Sequence, residues 1–153
     1  MTTGSSSSPR VPPRWFVRSA WVAHRALYSG SGGRVGLRPA TPERWGMLRL
    51  HTTGRRSGQE RRAILAYLED GQDLVLMAMN GWSAGTPGWC ANLQANPEAT
   101  VELADGTTRV VAARVAEGAD RDRLWARWAE FDKDLDAYAT RRSETPIMVL
   151  SPR

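Results

Sequence analysis

The sequence predicts an α+β domain built on a small barrel of about six mostly antiparallel strands, with three or so helices. Three observations support this fold class. The 153 residues, 41% of them hydrophobic, suffice for one core and are too few for two full domains. Short segments with alternating polar and apolar residues follow one another through tight-turn signals, which is typical of antiparallel strands. Segments with helical periodicity are inserted between those strands.

Two segments are expected to precede the barrel. Residues 1–13 are rich in Ser and Pro and are expected to be disordered. Residues 14–28 predict an amphipathic helix with arginines on one face, which the glycine-rich run at 29–33 ends. We therefore expect an N-terminal helical unit over 14–33 and a barrel domain over 34–153.

The strands are predicted from alternation and from the turns that separate them. Leu48 and Leu50 alternate with polar residues, so they share one face of a strand. Asp70-Gly71 and Asp105-Gly106 are hairpin signals between apolar runs. The predicted strands are 46–53, 60–69, 73–79, 99–104, 107–115 and 145–150.

Two helices are predicted inside the barrel domain. Thr86 is the expected N-cap of the first helix, Pro87 its first residue, and Asn96-Pro97 its end. The second helix is predicted over 119–131, and the stretch from 130 to 138 is expected to be its solvated end. The side expected to face the core carries Leu124, Trp128 and Phe131.

Composition excludes several classes of protein. No apolar run approaches the roughly 20 residues of a membrane-spanning helix. Cys90 is the only cysteine, and His24 and His51 are the only histidines, so a disulfide, a Cys-cluster site or a His-rich metal site is excluded. The first ten residues lack the apolar stretch of a secretory signal, so a cytoplasmic protein without a bound metal is expected.

The net charge of +5 hides an asymmetry along the chain. Residues 1–62 carry 12 arginines and only two acidic residues, whereas residues 63–153 are net acidic. Guanidinium groups bind phosphates and carboxylates through paired hydrogen bonds. The basic part therefore predicts a polyanionic partner: an anionic cofactor, a membrane surface or nucleic acid. Nucleic acid is disfavoured because no known binding motif is present.

The segment Thr52–Arg62, TTGRRSGQERR, is the first candidate site. Gly54 and Gly58 allow the backbone to turn and leave amides open. Adjacent strands lie about 4.8 Å apart, so the flanking guanidinium groups can converge on one anion. On the residues alone, a solvated hairpin tip decorated with arginine is equally well supported.

The segment Thr86–Pro97, TPGWCANLQANP, is the second candidate. A helix N-terminus offers free amides to an anion or a ring carbonyl, and Trp89 in its first turn can cover a planar ligand. On the residues alone, packing of Trp89 and Leu93 against the barrel is favoured. Cys90 is also expected to pack, because no histidine near it in sequence could activate the thiol.

These two segments and the closing TPIMVL carry a resemblance to the deazaflavin-dependent nitroreductase family, whose members use coenzyme F420. The resemblance covers Leu37–Pro152. It implies a split β-barrel like that of the FMN-binding split barrels. It also implies an oxidoreductase that transfers hydride from reduced coenzyme F420 to a small activated substrate: a nitro compound, an enone or a quinone. FMN is the less favoured cofactor.

The resemblance also implies which residues hold the cofactor. Arg55, Arg56, Ser57 and Arg61 match positions that bind its phosphate and polyglutamate tail. Segments 77–80 and 88–92 match those lining the deazaflavin ring and its side chain. The further cofactor-binding positions are Gly58, Ile64, Leu65, Met77, Ala78, Met79, Asn80, Gly88, Trp89, Cys90, Ala91 and Asn92.

The substrate side departs from the family pattern. Phe131, Asp134 and Ala137 stand where the family carries a tyrosine cluster. The predicted substrate contacts are therefore Phe131, Asp134 and the neighbouring Tyr138. No catalytic residue is assigned, because hydride transfer needs no protein nucleophile and water or a tyrosine can supply a proton.

Other function classes stay open on the sequence. Ile64 and Asn80 depart from the family pattern, which allows a non-redox barrel enzyme such as a cyclase or isomerase. The basic helix at 14–28 allows a cofactor carrier or peripheral contact with a membrane surface, or else it covers the barrel mouth. Either a monomer or a homodimer is compatible with the sequence.

Overall fold

Six antiparallel strands close into a barrel in the computed structural model, which describes residues 36–79, 85–140 and 144–153 except the side chain of Tyr138. The elements are β1 (Gly46–Thr53), β2 (Glu60–Asp70), β3 (Asp73–Met77), α1 (Gly88–Ala95), β4 (Glu98–Glu102), β5 (Thr108–Val115), α2 (Gly118–Phe131), α3 (Leu135–Ala139) and β6 (Ile147–Pro152). Around the barrel the strands follow the order β1-β2-β3-β6-β5-β4. The predicted α+β barrel of about six strands is confirmed.

The predicted elements are all present in this part of the chain, with small shifts at their ends. β3 ends at Met77, two residues before the predicted end. The amide of Ala78 still donates to the carbonyl of Pro146 at 2.9 Å, but Pro146 has no amide hydrogen, and the amide of Met79 donates to the carbonyl of Met77 at 3.0 Å instead. The solvated helix end expected over 130–138 is wrong. A separate short helix, α3, forms there because Leu135 is buried in the outer cluster with residues of α2 and of the sheet.

Both faces of the barrel wall are buried along β3. Successive side chains of a strand point to opposite faces. Leu74 and Leu76 enter the barrel, whereas Val75 and Met77 face the helices outside. The uninterrupted apolar run LVLM at 74–77 is explained by this double burial.

The apolar residues form two clusters on opposite sides of the wall. The barrel core lies inside and includes Cys90 and Leu93 of α1, so this helix closes one end of the barrel. The outer cluster lies between the wall and α2, where Leu124 and Trp128 are buried and Phe131 is partly buried, as predicted. Trp128 is fully buried and stacks at 5.9 Å on Trp45.

Several predictions fall on residues outside the described ranges. These are the tail over 1–13, the helical unit over 14–33 and the ring-lining position Asn80. Within the described ranges, no helix is both long enough and apolar enough to cross a membrane.

Candidate functional site

An open cleft of about 430 Å³ lies between the β1–β2 connection and the N-terminal end of α1. Both segments singled out in the sequence therefore meet at one place, although they are about 30 residues apart in the chain. The cleft is lined by Thr52, Gly54, Arg55, Arg56, Ser57, Arg61, Arg62, Ala63, Gly88, Trp89 and Asn92.

The connection Gly54–Gln59, called here the arginine turn, is held by its own backbone. The amide of Gly54 donates to the carbonyl of Gln59 at 2.7 Å, and the amide of Gly58 donates to the carbonyl of Gly54 at 2.9 Å. Gly58 has φ +69°, which favours glycine. A Cβ on Gly54 would lie 2.7 Å from Ser57 Oγ and 3.1 Å from the carbonyl oxygen of Gln59, so a side chain there would displace the Ser57 hydroxyl.

The cleft concentrates positive charge that nearby acids do not neutralise. Arg55, Arg56 and Arg61 are exposed and make no ion pair with any carboxylate of the described residues. Arg61 approaches only the Ser57 hydroxyl, at 3.5 Å. Arg62 differs, because its Nε donates to Glu60 at 2.8 Å. Three guanidinium groups therefore stay available to an anion from solvent.

The N-terminus of α1 adds backbone donors to the same cleft. Pro87 is the N-cap, and its carbonyl accepts from the amides of Cys90 and Ala91 at 3.0 and 3.1 Å. The predicted N-cap at Thr86 is wrong, because the helix begins one residue later and no side chain caps it. The amides of Gly88 and Trp89 have no acceptor in the described part of the chain and lie at the positive end of the helix dipole.

Trp89 combines the two roles weighed from the sequence. Its side chain is half-buried and packs against the barrel core, and it also lines the cleft. The packing interpretation is therefore confirmed, while covering a planar ligand stays a prediction.

A buried amide joins the turn to the helix. Asn92 Oδ1 accepts from the backbone amide of Arg55 and from its Nη1, both at 3.1 Å. Asn92 Nδ2 donates to Thr52 Oγ1 at 3.2 Å. Asn92 and Thr52 are 5% and 3% exposed, so the bond between them is buried, whereas the two bonds to the exposed Arg55 are partly buried.

The outer face of β1 carries a paired charge network beside the cleft. His51 Nδ1 lies 2.5 Å from Glu60 Oε1, and its Nε2 lies 3.1 Å from Glu102 Oε2. Arg49 also pairs with Glu102, at 2.7 Å. Hydrogen bonds from His51 and then Arg62 lower the pKa of Glu60 to about 2. Glu60 therefore stays ionised at neutral pH and keeps Arg62 engaged.

The predicted cofactor residues divide into those that line the cleft and those that do not. Of the predicted set, seven line the cleft: Arg55, Arg56, Ser57, Arg61, Gly88, Trp89 and Asn92. The remaining described positions do not line it: Gly58 is exposed at the turn, Ala91 is partly buried, Leu65, Ala78 and Cys90 belong to the barrel core, Met77 and Met79 pack in the outer cluster, and Ile64 is buried in the wall.

The predicted substrate contacts are not gathered at this cleft. Phe131 packs on Trp45 in the outer cluster, at 6.3 Å between ring centroids. Asp134 is exposed in the link between α2 and α3. Tyr138 lies in α3, and its side chain is outside the description.

Among the cleft-lining residues, Ala63 alone lies outside the two candidate segments, and Thr52 lies in the first segment but is not among the predicted cofactor contacts. Both belong to the inward-facing row of their strands, which continues Leu48 and Leu50 to the barrel mouth. Extending the strand alternation into the turn could have found them.

Comparisons with known proteins agree on one family. Residues 21–152 match the family model described as F420H(2)-dependent quinone reductase. A curated F420H(2)-dependent quinone reductase of Mycobacterium tuberculosis (strain ATCC 25618 / H37Rv) is 36% identical over 152 residues, which cover 92% of this chain and 97% of that protein.

Solved structures with this fold are also similar. The F420-H2 dependent reductase FDR-A has a TM-score of 0.61 at 26% identity, covering 69% of this chain and 93% of its own. A chain solved as a domain-swapped dimer has a TM-score of 0.62 at 25% identity, covering 92% of this chain and 100% of its own.

Proposed function

The chain belongs to the F420H(2)-dependent quinone reductase family, and we propose that its arginine turn and the N-terminus of α1 together bind the anionic part of the cofactor. As a member of this family it is an oxidoreductase that uses coenzyme F420, as the resemblance implied. The cleft of uncompensated arginines carries the proposal, because the phosphate and polyglutamate tail of F420 need cations that no carboxylate already holds.

The described residues suit such a ligand in charge and in shape. Arg55, Arg56 and Arg61 offer guanidinium groups, and Ser57 adds a hydroxyl. The absence of a side chain at Gly54 lets the turn fold tightly beneath them. No carboxylate is among the lining residues within the described ranges, so nothing there repels a polyanion.

The protein contributes placement and electrostatics to the reaction. When bound, reduced F420 supplies a hydride, which is a two-electron reductant. Arg55, Arg56 and Arg61 hold the anionic part at the rim, and Trp89 shields the adjoining planar part from water. Fixing the cofactor at its charged end limits the positions available to its other end, which raises the share of productive encounters with an acceptor.

The substrate is proposed to be a small planar acceptor of the quinone class. This assignment is supported by the family description and by the curated relative, both named for quinone reduction. It is narrower than the range expected from the sequence, which also included nitro compounds and enones. Peripheral membrane contact through residues 14–28 stays a prediction from the sequence alone.

A paired titration tests the proposed function. The purified full chain is titrated with F420 and separately with FMN, and ligand fluorescence is followed. We expect F420 to bind with a Kd on the order of micromolar and FMN to bind far more weakly. Oxidation of reduced F420 by a soluble naphthoquinone is then followed by absorbance.

Two variants complete that test. Arg56→Ala removes a cleft cation, whereas Arg123→Ala removes an exposed arginine of α2 that pairs with acids away from the cleft. Loss of F420 affinity in the first variant alone is expected. Equal binding of F420 by both variants, or no binding by the wild type, would overturn the proposed function.

A further inference from the structure

Within the described ranges, the guanidinium of Arg55 makes one hydrogen bond to the rest of the protein, which Nη1 donates to Asn92 Oδ1 at 3.1 Å. Asn92 Oδ1 faces two donors and its Nδ2 faces the Thr52 hydroxyl. The reverse orientation would place NH₂ against two N–H donors, so the network assigns the orientation of the amide. The carboxamide is therefore held at both ends, by β1 and by the arginine turn.

The neutral charge of this amide matters for its effect on Arg55. A carboxylate at the same place would orient the guanidinium equally well but would also neutralise it. The carboxamide oxygen orients Arg55 through one of its terminal nitrogens and leaves its charge and its other N–H groups to a ligand. Orientation without neutralisation suits a binding residue that must stay available.

The bond to the side chain distinguishes this arrangement from a purely structural one. Joining the turn to the helix needs only the bond from the backbone amide of Arg55. The bond from Nη1 additionally restricts a long side chain that is otherwise exposed. Restricting such a side chain before binding reduces the conformational entropy that binding would cost.

We propose that Asn92 is a positioning residue, which through its buried carboxamide preorganises Arg55 and ties the arginine turn to α1 as one anion-binding unit. The proposal rests on the proposed function for the identity of the anion. The three hydrogen bonds of the Asn92 carboxamide, called here the latch, are a property of the protein without ligand. The proposal changes the role of Asn92 from a residue lining the ring to one that acts through Arg55.

Hydrogen exchange tests the latch without any cofactor. The backbone amide of Arg55 should exchange slowly in the wild type because Asn92 Oδ1 accepts from it. Asn92→Ala should speed its exchange, and Thr52→Val should do so to a smaller extent, because it releases only the far end of the carboxamide. Thr52→Ser keeps the hydroxyl and should preserve the protection. Fast exchange in the wild type would overturn the latch, whatever the protein binds.

A double-mutant cycle tests whether Asn92 acts through Arg55. Asn92→Ala is expected to raise the Kd for F420 about tenfold. In an Arg55→Ala background the same change should raise the Kd clearly less than tenfold, because only the bond to the backbone amide remains to be lost, whereas in an Arg61→Ala background it should keep its full effect. An equal loss in both backgrounds would show general destabilisation and would overturn the proposal.

Asn92→Asp is a second variant that keeps the proposal testable if Asn92→Ala fails to fold. It is nearly isosteric and retains the acceptor, so protection of the Arg55 amide should persist. The added charge should nevertheless weaken F420 binding. Unchanged F420 affinity in this folded variant would contradict the claim that the carboxamide orients Arg55 without neutralising its charge. If the wild type binds no F420, the proposed function fails, while the exchange measurement still decides the latch.

Discussion

Arginines form two groups in this protein that look alike in sequence and differ in their partners. In the arginine turn and its flank, Arg55, Arg56 and Arg61 have no ion-pair partner within the described ranges. On α2, Arg123 donates to both carboxylate oxygens of Asp70, at 2.9 and 2.8 Å, and also to Asp120 at 2.8 Å. The first group is open to a ligand, and the second is occupied by the protein itself.

The difference shows that the number of arginines does not identify a binding site. The α2 group fastens the helix to the β2–β3 hairpin, where Arg127 also donates to the carbonyl of Glu69 at 2.6 Å. Its charges cancel locally, so it projects little field into solvent. The cleft group keeps its field because the neighbouring residues supply hydroxyl and amide oxygens instead of carboxylates.

Removing two cleft arginines should give the largest effect. Arg56→Ala combined with Arg61→Ala deletes two charge-assisted contacts to an anion, each worth about 1.5–3 kcal/mol. The Kd for F420 should rise by roughly a hundredfold or more, as measured by fluorescence titration. The melting temperature should change little because both side chains are exposed. A comparable rise in the Kd for F420 on replacing Arg123 would show that the two groups of arginines do not differ in ligand binding.

Distorting the arginine turn without changing its charge should give an intermediate effect. Gly54→Ala places a Cβ 2.7 Å from Ser57 Oγ and 3.1 Å from the carbonyl of Gln59, so the Ser57 hydroxyl must move and the backbone of the turn must shift slightly. The affinity for F420 should fall about tenfold, equivalent to about 1.4 kcal/mol, although every arginine remains. Unaltered affinity in this variant would mean that charge alone, and not the fold of the turn, defines the site.

Removing one partner of the paired arginines on α2 should give the smallest effect. It should change the stability of the protein and leave F420 binding unchanged. The hydrogen bond from Arg123 lowers the pKa of Asp70, so the folded state favours the ionised carboxylate. Asp70→Asn should reduce the free energy of unfolding by less than about 1 kcal/mol at pH 7, since the pair lies at the surface. The Kd for F420 should not change.

The pH dependence of that loss has a definite sign. A lowered folded pKa contributes stability above the unfolded pKa of about 3.9. The contribution disappears as pH falls through the still lower folded pKa. Wild type and Asp70→Asn should therefore converge in urea unfolding experiments as the pH falls through the lowered folded pKa of Asp70. A difference that grows in acid would contradict the assignment of Asp70 as the ionised partner.

Much of the fold could be predicted because local patterns determine it. The alternation of Leu48 and Leu50 and the Asp-Gly turns identify the strands, since side-chain direction and turn geometry depend on neighbouring residues. The start of α1 could not be identified correctly, because Thr86 and Pro87 are both acceptable N-caps or first residues locally. The short helix α3 was missed because its anchor, Leu135, is buried in a cluster that also needs the strands of the barrel wall, which are distant in sequence.

The sequence by itself determined the strands along the chain, the alternation of their apolar residues and the presence of an arginine-rich turn, because periodicity and turn residues act over a few positions. Only the tertiary structure decided which arginines are free and which are paired. Asp70 reaches Arg123 across 53 positions of the chain, and Asn92 reaches Arg55 across 37. Ion pairing and burial depend on distances in space, so no local pattern could separate the two groups.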